Sequence, residues 1–320
     1  MAHLKRITIG ARGSKLSLAQ AAEVVSFLKK EFPRHSFSCK KIITKGDRLK
    51  KTWPLDSQGI FVKEIETALL KREIDLAVHS MKDLPTAIPP CLRLVSVTKR
   101  EDCRDVLVSK NKAGFFSLRK RAVVGTSSLR RAAQLLHRRP DLRIKHLRGN
   151  LDTRIRKLKQ GEFDAVVVAA AGILRLKRAG KEIENLLSGL NLYFFPPAVL
   201  LPAVGQGALG VQIRRNDRLA GDVAIRINDR ESYVCVAAER AFLKETGGGC
   251  RVPVAALART KEKKIVLEAA VFSLDGRRMV RSTKEAGLSE AESLGKKLAR
   301  EILKSGGREI LKETRQDGQG

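Results

Sequence analysis

Twice in the first half of the chain a short apolar run breaks into glycine, serine and arginine, then resumes with helical spacing. The first begins at Ile7 and Ile9, passes through Gly10-Ala11-Arg12-Gly13-Ser14, and continues as Leu18, Ala21, Ala22, Val25 and Leu28 up to Pro33. The second runs from Ala122 to Gly125, through Thr126-Ser127-Ser128, into Leu129-Arg130-Arg131 and a helix predicted to end near Arg138. A period of two that gives way to a period of 3.6 at a serine or glycine is a strand feeding a helix. Strands that alternate with helices commit a chain to sheets that are largely parallel. Phe37 to Thr44, Ile74 to Val78, Leu94 to Val97 and Ala165 to Ala169 supply further strands, and Leu209 to Ile213 reads as a strand returning to the first sheet.

The expected fold class is therefore α/β, with two lobes around a cleft and a small α+β domain after them. The charged stretch Lys99 to Arg104 marks a crossing, and Pro196 to Pro202 marks a break. The expected domains are 1–101 with 205–226, 102–204, and 227–320. At 320 residues the chain is long for a single core. From Ser232 a helix carrying Ala237, Ala238, Ala241 and Phe242 is expected to end at Gly247-Gly248-Gly249-Cys250. A strand over Ile265 to Ser273, a turn at Asp275-Gly276 and a helix from Ala291 to Leu303 complete the third domain.

Open α/β sheets place ligands at the carboxyl ends of their strands. The run His79-Ser80-Met81-Lys82-Asp83-Leu84-Pro85-Thr86 lies at such an end. Lys82 and Asp83 fit either a surface ion pair or a site where a carboxylate steadies a developing cation. Ser14 or Ser17 fits an ordinary helix cap, and together with Arg12 and free helix N–H groups it equally fits a carboxylate or phosphate receptor. Arg130, Arg131, Arg148, Arg154 and Arg175 fall at the same ends of their elements, and arginine suits bidentate carboxylate binding. Lys45 to Ser57 is a polar loop, either a mobile cover or a plain connection. Three glycines before Cys250 leave its sulfur open, as covalent attachment needs, and also fit a helix C-cap.

The balance of 64 Lys and Arg against 34 Asp and Glu leaves a net charge of +30, which brings nucleic acid into consideration. The basic residues are dispersed pairs, such as Lys40-Lys41 and Arg214-Arg215, with one Trp and two Tyr to interleave them, so a single-strand binder is disfavoured. Five scattered cysteines without a Cys-x-x-Cys pair argue against a disulfide framework or a zinc site, and no metal is expected. No apolar run is of membrane-spanning length; Ala165 to Ile173 is among the longest. Ala19-Gln20-Ala21 has the look of a cleavage site but lacks an apolar stretch before it, so a cytoplasmic protein is expected.

Six ordered motifs converge on one family. Ala11-Arg12-Gly13-Ser14, His79 to Pro85, Gly125 to Arg131, Leu147-Arg148-Gly149-Asn150 with Thr153-Arg154, Pro202 to Ala208, and Gly248-Gly249-Cys250 with Val252-Pro253 resemble porphobilinogen deaminase, or hydroxymethylbilane synthase. The resemblance implies periplasmic-binding-protein-like lobes and a dipyrromethane cofactor joined by a thioether to Cys250. It also implies condensation of four porphobilinogen molecules, with loss of ammonia, into a linear tetrapyrrole; separately, a monomer with no obligate nucleic acid and no membrane partner is expected. By the same resemblance Asp83 is the catalytic carboxylate beside the pyrrole nitrogens, assisted by Arg12, Arg148 and Arg154. Lys82, Ser14, Ser80, Thr126, Ser127, Ser128, Arg130, Arg131, Arg148, Gln206 and Gly207 are implied at the cofactor, and Arg12, Arg154 and Arg175 at the substrate. The chain departs from the family where Asp56-Ser57-Gln58-Gly59-Ile60-Phe61 replaces a lysine-bearing lid segment. A two-lobed anion-binding module without catalysis is the competing reading; Asp83 and Cys250 distinguish the two, since passive capture has no use for either.

Overall fold

The structure, a computed structural model, describes residues 6–43, 62–110, 114–247, 249 and 252–317. Cys250 and the segments Lys45 to Ser57 and Asp56 to Phe61 discussed above lie outside the described residues. The chain forms two compact units, Met1–Glu101 with Ala208–Val234, and Asp102–Gly207 with Cys235–Gly320. The expected boundaries at 204/205 and 226/227 thus compare with breaks at 207/208 and 234/235.

In the first unit β1 (Arg6–Arg12) leads into α1 (Lys15–Glu31), followed by β2 (Ser36–Ile42), α2 (Lys63–Leu70), β3 (Leu76–Ser80) and β4 (Leu92–Val97). The helix α1 starts where it does because Ser14 Oγ accepts a hydrogen bond from Ser17 N at 3.2 Å. It buries Gln20, Ala21, Val24 and Leu28, and Lys29 and Lys30 in its last turn oppose the helix dipole. Burial of Ile7, Ile9, Leu76 and Val78 against Ala21, Val24 and Leu28 gives this lobe its core.

The second unit begins with β5 (Asp105–Ser109), β6 (Val123–Gly125), α3 (Leu129–Arg138), β7 (Arg143–Lys145) and α4 (Leu151–Lys159). It continues through β8 (Ala165–Ala169), α5 (Ala170–Ala179), α6 (Glu182–Leu187) and β9 (Asn191–Phe194). The chain then supplies β10 (Leu209–Arg214) and α7 (Arg218–Ala224) to the first unit. Beyond them lie α8 (Arg230–Glu245), β11 (Val254–Lys261), β12 (Lys264–Phe272), β13 (Met279–Gly287), α9 (Ala291–Ile302) and α10 (Arg308–Asp317).

The two lobes have the same sheet. The first is ordered β2-β1-β3-β10-β4 and the second β7-β6-β8-β5-β9. In each, three parallel strands are followed by one antiparallel strand, β10 or β5, donated by the chain as it crosses. The C-terminal sheet is the antiparallel order β11-β12-β13. Ala255, Leu257, Ala270 and Phe272 of that sheet share a core with Ala133 of α3 and with Leu201. His137 Nδ1 also lies 2.7 Å from Gly276 O. The C-terminal sheet therefore braces the helix whose first turn carries Arg130 and Arg131.

Candidate active site

In the first lobe the site residues gather where β1 and β3 end. β3 stops at Ser80 and the chain tightens into a 3₁₀ turn, Met81–Asp83. Met81 is 1% exposed and anchors the turn: its N–H donates to Ala208 O at 3.0 Å, and Leu84 N donates back to Met81 O at 3.3 Å. The turn sits flat on β10 because residue 210 is glycine; a Cβ there would collide with Met81 Sδ and lie 2.8 Å from Leu94 Cδ1. With Met81 and Leu84 buried on either side, Lys82 is left half-buried and Asp83 exposed. The sequence placed both at a strand end; their rigidity comes from β10, more than a hundred residues away.

Ser80 Oγ is held by a residue that sequence reasoning did not single out. Gln20 Nε2 donates to it at 2.9 Å, and the hydroxyl donates to Gln20 Oε1 at 3.2 Å. A glutamine at a buried position of an otherwise apolar helix face was the available signal. Ser14 accepts from its own helix and so keeps its O–H hydrogen to offer a ligand. On the opposite face of β3, His79 is 5% exposed and lies 3.0 Å from Gln212 Oε1, while Gln212 Nε2 donates to Glu66 Oε1 at 2.8 Å. Burial lowers the His79 pKa to about 4, against a smaller opposing effect of its bond to Gln212, so the ring is neutral near pH 7.

In the second lobe the hub is Asp105, the first residue of β5 and another residue missed in the sequence. Its Oδ1 accepts from Arg131 Nε at 3.0 Å, Arg131 Nη2 at 2.6 Å and Gln206 Nε2 at 3.0 Å. Its Oδ2 pairs with Arg130 Nη2 at 2.8 Å. Burial alone would raise this carboxyl; the charges of Arg130 and Arg131 outweigh it and hold the pKa down to about 2. Arg130 Nη1 also donates to Leu201 O at 2.7 Å and Arg131 Nη1 to Val167 O at 3.0 Å. Both arginines are buried, and Arg131 thus uses three of its five N–H donors on protein. Arg175, also buried, donates to Gly207 O at 3.0 Å, and Gln206 reaches Cys103 O at 2.8 Å. Gly207 adopts φ 96°, a left-handed conformation that favours glycine.

The hydroxyl run sits on this framework. Thr126 is buried and accepts from Ser128 N at 3.2 Å; Ser128 caps α3 by accepting from Arg131 N at 3.4 Å; Ser127 is half-buried. Arg154 Nε donates to Gly149 O at 2.8 Å, so it lies over the turn that carries Arg148. The His146 pKa is lowered by partial burial and then by Arg148 and Arg154, whose charges both act in the same direction on it. The electrostatic field at this strand end is therefore positive and suited to an anionic ligand. Among the described residues no group of three His, Cys, Asp or Glu side chains could hold a metal ion.

Residues 7–222 match the family described as porphobilinogen deaminase, dipyromethane cofactor binding domain, and residues 233–304 match the porphobilinogen deaminase C-terminal domain. The chain belongs to the porphobilinogen deaminase family. The porphobilinogen deaminase of Thermus thermophilus is 45% identical over 313 residues, 98% of this chain and 100% of that protein. The porphobilinogen deaminase of Syntrophomonas wolfei is 42% identical over 314 residues, again 98% of this chain and 100% of that one. Among solved structures, the probable amino-acid ABC transporter extracellular-binding protein YtmK from Bacillus subtilis aligns with TM-score 0.42 and 14% identity, covering 69% of this chain and 89% of that one. The family's first domain binds a dipyrromethane, a group bearing several carboxylates. The donors described in each lobe fit such a group: capping hydroxyls, Lys82, and the positive field around Arg148 and Arg154.

Proposed function

We propose that this chain is a hydroxymethylbilane synthase, condensing four porphobilinogen molecules head to tail into a linear tetrapyrrole on a dipyrromethane primer attached to Cys250. The observation that carries the reading is the exposed Asp83 on a turn fixed by Met81 and Gly210, beside Lys82, in a chain of this family. When bound, the dipyrromethane would supply the pyrrole carbon that receives the first unit, each later unit joining the ring added before it.

The protein's part is to hold carboxylates and to steady charge. Ser14, Ser80, Lys82 and the hydroxyls of Thr126, Ser127 and Ser128 hold the primer's acetate and propionate groups. Arg130, Arg131 and Gln206 keep that strand end in shape through Asp105, Gly207 does so by accepting from Arg175, and all four belong to the cofactor site. Arg12, Arg148 and Arg154 bind the acid groups at the reacting rings, and Arg175 those of the arriving substrate. Asp83 accepts the pyrrole N–H and stabilises the cation left on the substrate as ammonia departs. At about 4 Å and an effective dielectric near 20, that attraction is on the order of 4 kcal/mol, close to a thousandfold in rate. The same proposal takes the enzyme to be a cytoplasmic monomer, since scattered cysteines suit a reducing compartment.

Intact mass and turnover test this together. The expected result is a mass excess of one dipyrromethane in the purified protein, lost in Cys250→Ala, and porphobilinogen consumption with release of ammonia. An unmodified mass in a protein that consumes no porphobilinogen would overturn it.

A further inference from the structure

The chain's positive surplus extends beyond the candidate active site, and part of it collects at the other end of the first lobe's sheet. Because β10 runs antiparallel to β3, pairing Leu209 with Ser80 and Gln212 with Ala77, its last residue, Arg214, lies beside the start of β3. Five residues of strand, about 16 Å, separate that point from the turn bearing Asp83. A groove of about 750 Å³ opens there, within the range of small-molecule sites.

Arg214 builds one wall. Its Nη1 donates to Leu69 O at 2.7 Å and Ile74 O at 2.6 Å, and its Nη2 reaches Asp75 at 3.1 Å and Asp217 at 2.5 Å. Asp75 and Asp217 are thus both hydrogen-bonded to this one arginine. Three further arginines, Arg72, Arg215 and Arg218, line the same groove without a hydrogen bond to a carboxylate of the described residues, although the charge of Arg72 reaches Asp217. Arg215 uses Nε on Pro90 O and keeps its terminal N–H groups. Arg72 and Arg218 make no side-chain hydrogen bond or ion pair with any described residue. Arg72 moreover holds φ 58°, where glycine or asparagine sits more easily, so an arginine occupies a backbone position that does not favour it. Leu70, 48% exposed, and Pro90 add an apolar floor.

One carboxylate would satisfy one guanidinium fork. Three guanidinium groups lining a single concavity match a ligand whose anionic oxygens are numerous and close together. We propose that this groove binds a small molecule carrying a diphosphate, at a site separate from that for porphobilinogen.

The test is calorimetric titration of the cofactor-loaded enzyme with inorganic pyrophosphate. Three proteins are compared: the wild type, the double variant Arg72→Asn with Arg218→Gln, and a control, Lys29→Gln with Lys30→Gln. The control removes equal charge from the exposed end of α1. Asparagine suits the backbone at 72 and both groove positions are exposed, so the groove variant is expected to keep its turnover of porphobilinogen, which also reports its folding. Saturable one-to-one binding is expected in the wild type and the control, with about a tenfold or greater loss in the groove variant. The proposal is overturned by absent saturation in the wild type, by a groove variant that binds within twofold of it, or by equal losses in both variants.

Discussion

In the first lobe β3 ends in a 3₁₀ turn that leaves Asp83 exposed; in the second the equivalent strand, β8, passes without a break into α5. The first lobe's notable carboxylate is exposed, with Met81 and Leu84 buried on either side. That of the second, Asp105, is itself buried and surrounded by two arginines and a glutamine. Two sheets with one strand order thus put an aspartate to opposite structural uses, one presented on an exposed turn and one buried as the hub of a hydrogen-bonded cluster. The strand order sets where a strand ends, and the residues packed just beyond that end decide which use results.

The largest effect that separates the two is on stability. Asp105→Ala leaves Arg130 and Arg131 buried without their carboxylate and is expected to cost about 3–5 kcal/mol, read as a fall in the urea midpoint. The held-down carboxyl contributes fully above its unfolded value near 4 and loses its contribution as pH falls through about 2, so the loss should be the same at pH 6 and pH 8. A loss below about 1 kcal/mol would dissolve the contrast with Asp83. Asp83→Asn should do the reverse: kcat falls roughly 10²- to 10³-fold, while the urea midpoint and the cofactor mass are unchanged. Near-normal turnover would take Asp83 out of the reaction.

A third, somewhat smaller effect belongs to the first lobe. Buried His79 has a folded pKa depressed to about 4, so as pH falls the unfolded chain takes up the proton first. Stability is complete above about pH 6.5 and declines by about 3 kcal/mol toward pH 4. Glu66, raised by burial, acts in the opposite direction over its own titration. His79→Gln should flatten the decline, measured by urea unfolding at a series of pH values; an unchanged slope would place its origin elsewhere. The smallest effect tests what the lobes share. Ser14→Ala and Ser128→Ala each remove a helix cap and should cost about 1 kcal/mol, alike in both lobes.

Local pattern made much of this legible. The helix predicted from Leu129 to about Arg138 is Leu129–Arg138, the returning strand Leu209 to Ile213 is Leu209–Arg214, and the strand Ile265 to Ser273 is Lys264–Phe272. Each has a strict period and a cap or turn residue at its end. β5 was not read because it opens on Asp105 directly after a charged run, and charge at a strand's first residue resembles a loop until its partners are known. β9 and β13 were missed for another reason: β9 is half-exposed throughout, and β13 carries Arg281, Lys284 and Glu285, so neither shows a clean alternation. Among site residues, position was readable and burial was not. Arg130 and Arg131 stand where the helix start was predicted, but their closure around Asp105 depends on a contact 25 residues away. Gln20 and Gly210 likewise matter only through β3.

The antiparallel strand of the first lobe has a consequence for how the protein is made. β10 lies between β3 and β4, yet it leaves the ribosome more than a hundred residues after them, at about 5–20 residues per second some 6–20 s later. Every strand of the second lobe's sheet has emerged by Phe194, before Leu209. The lobe that begins the polypeptide is accordingly the later one to close during synthesis. Until it does, the edges of β3 and β4 stand bare, an interval in which a holding chaperone would be of most use.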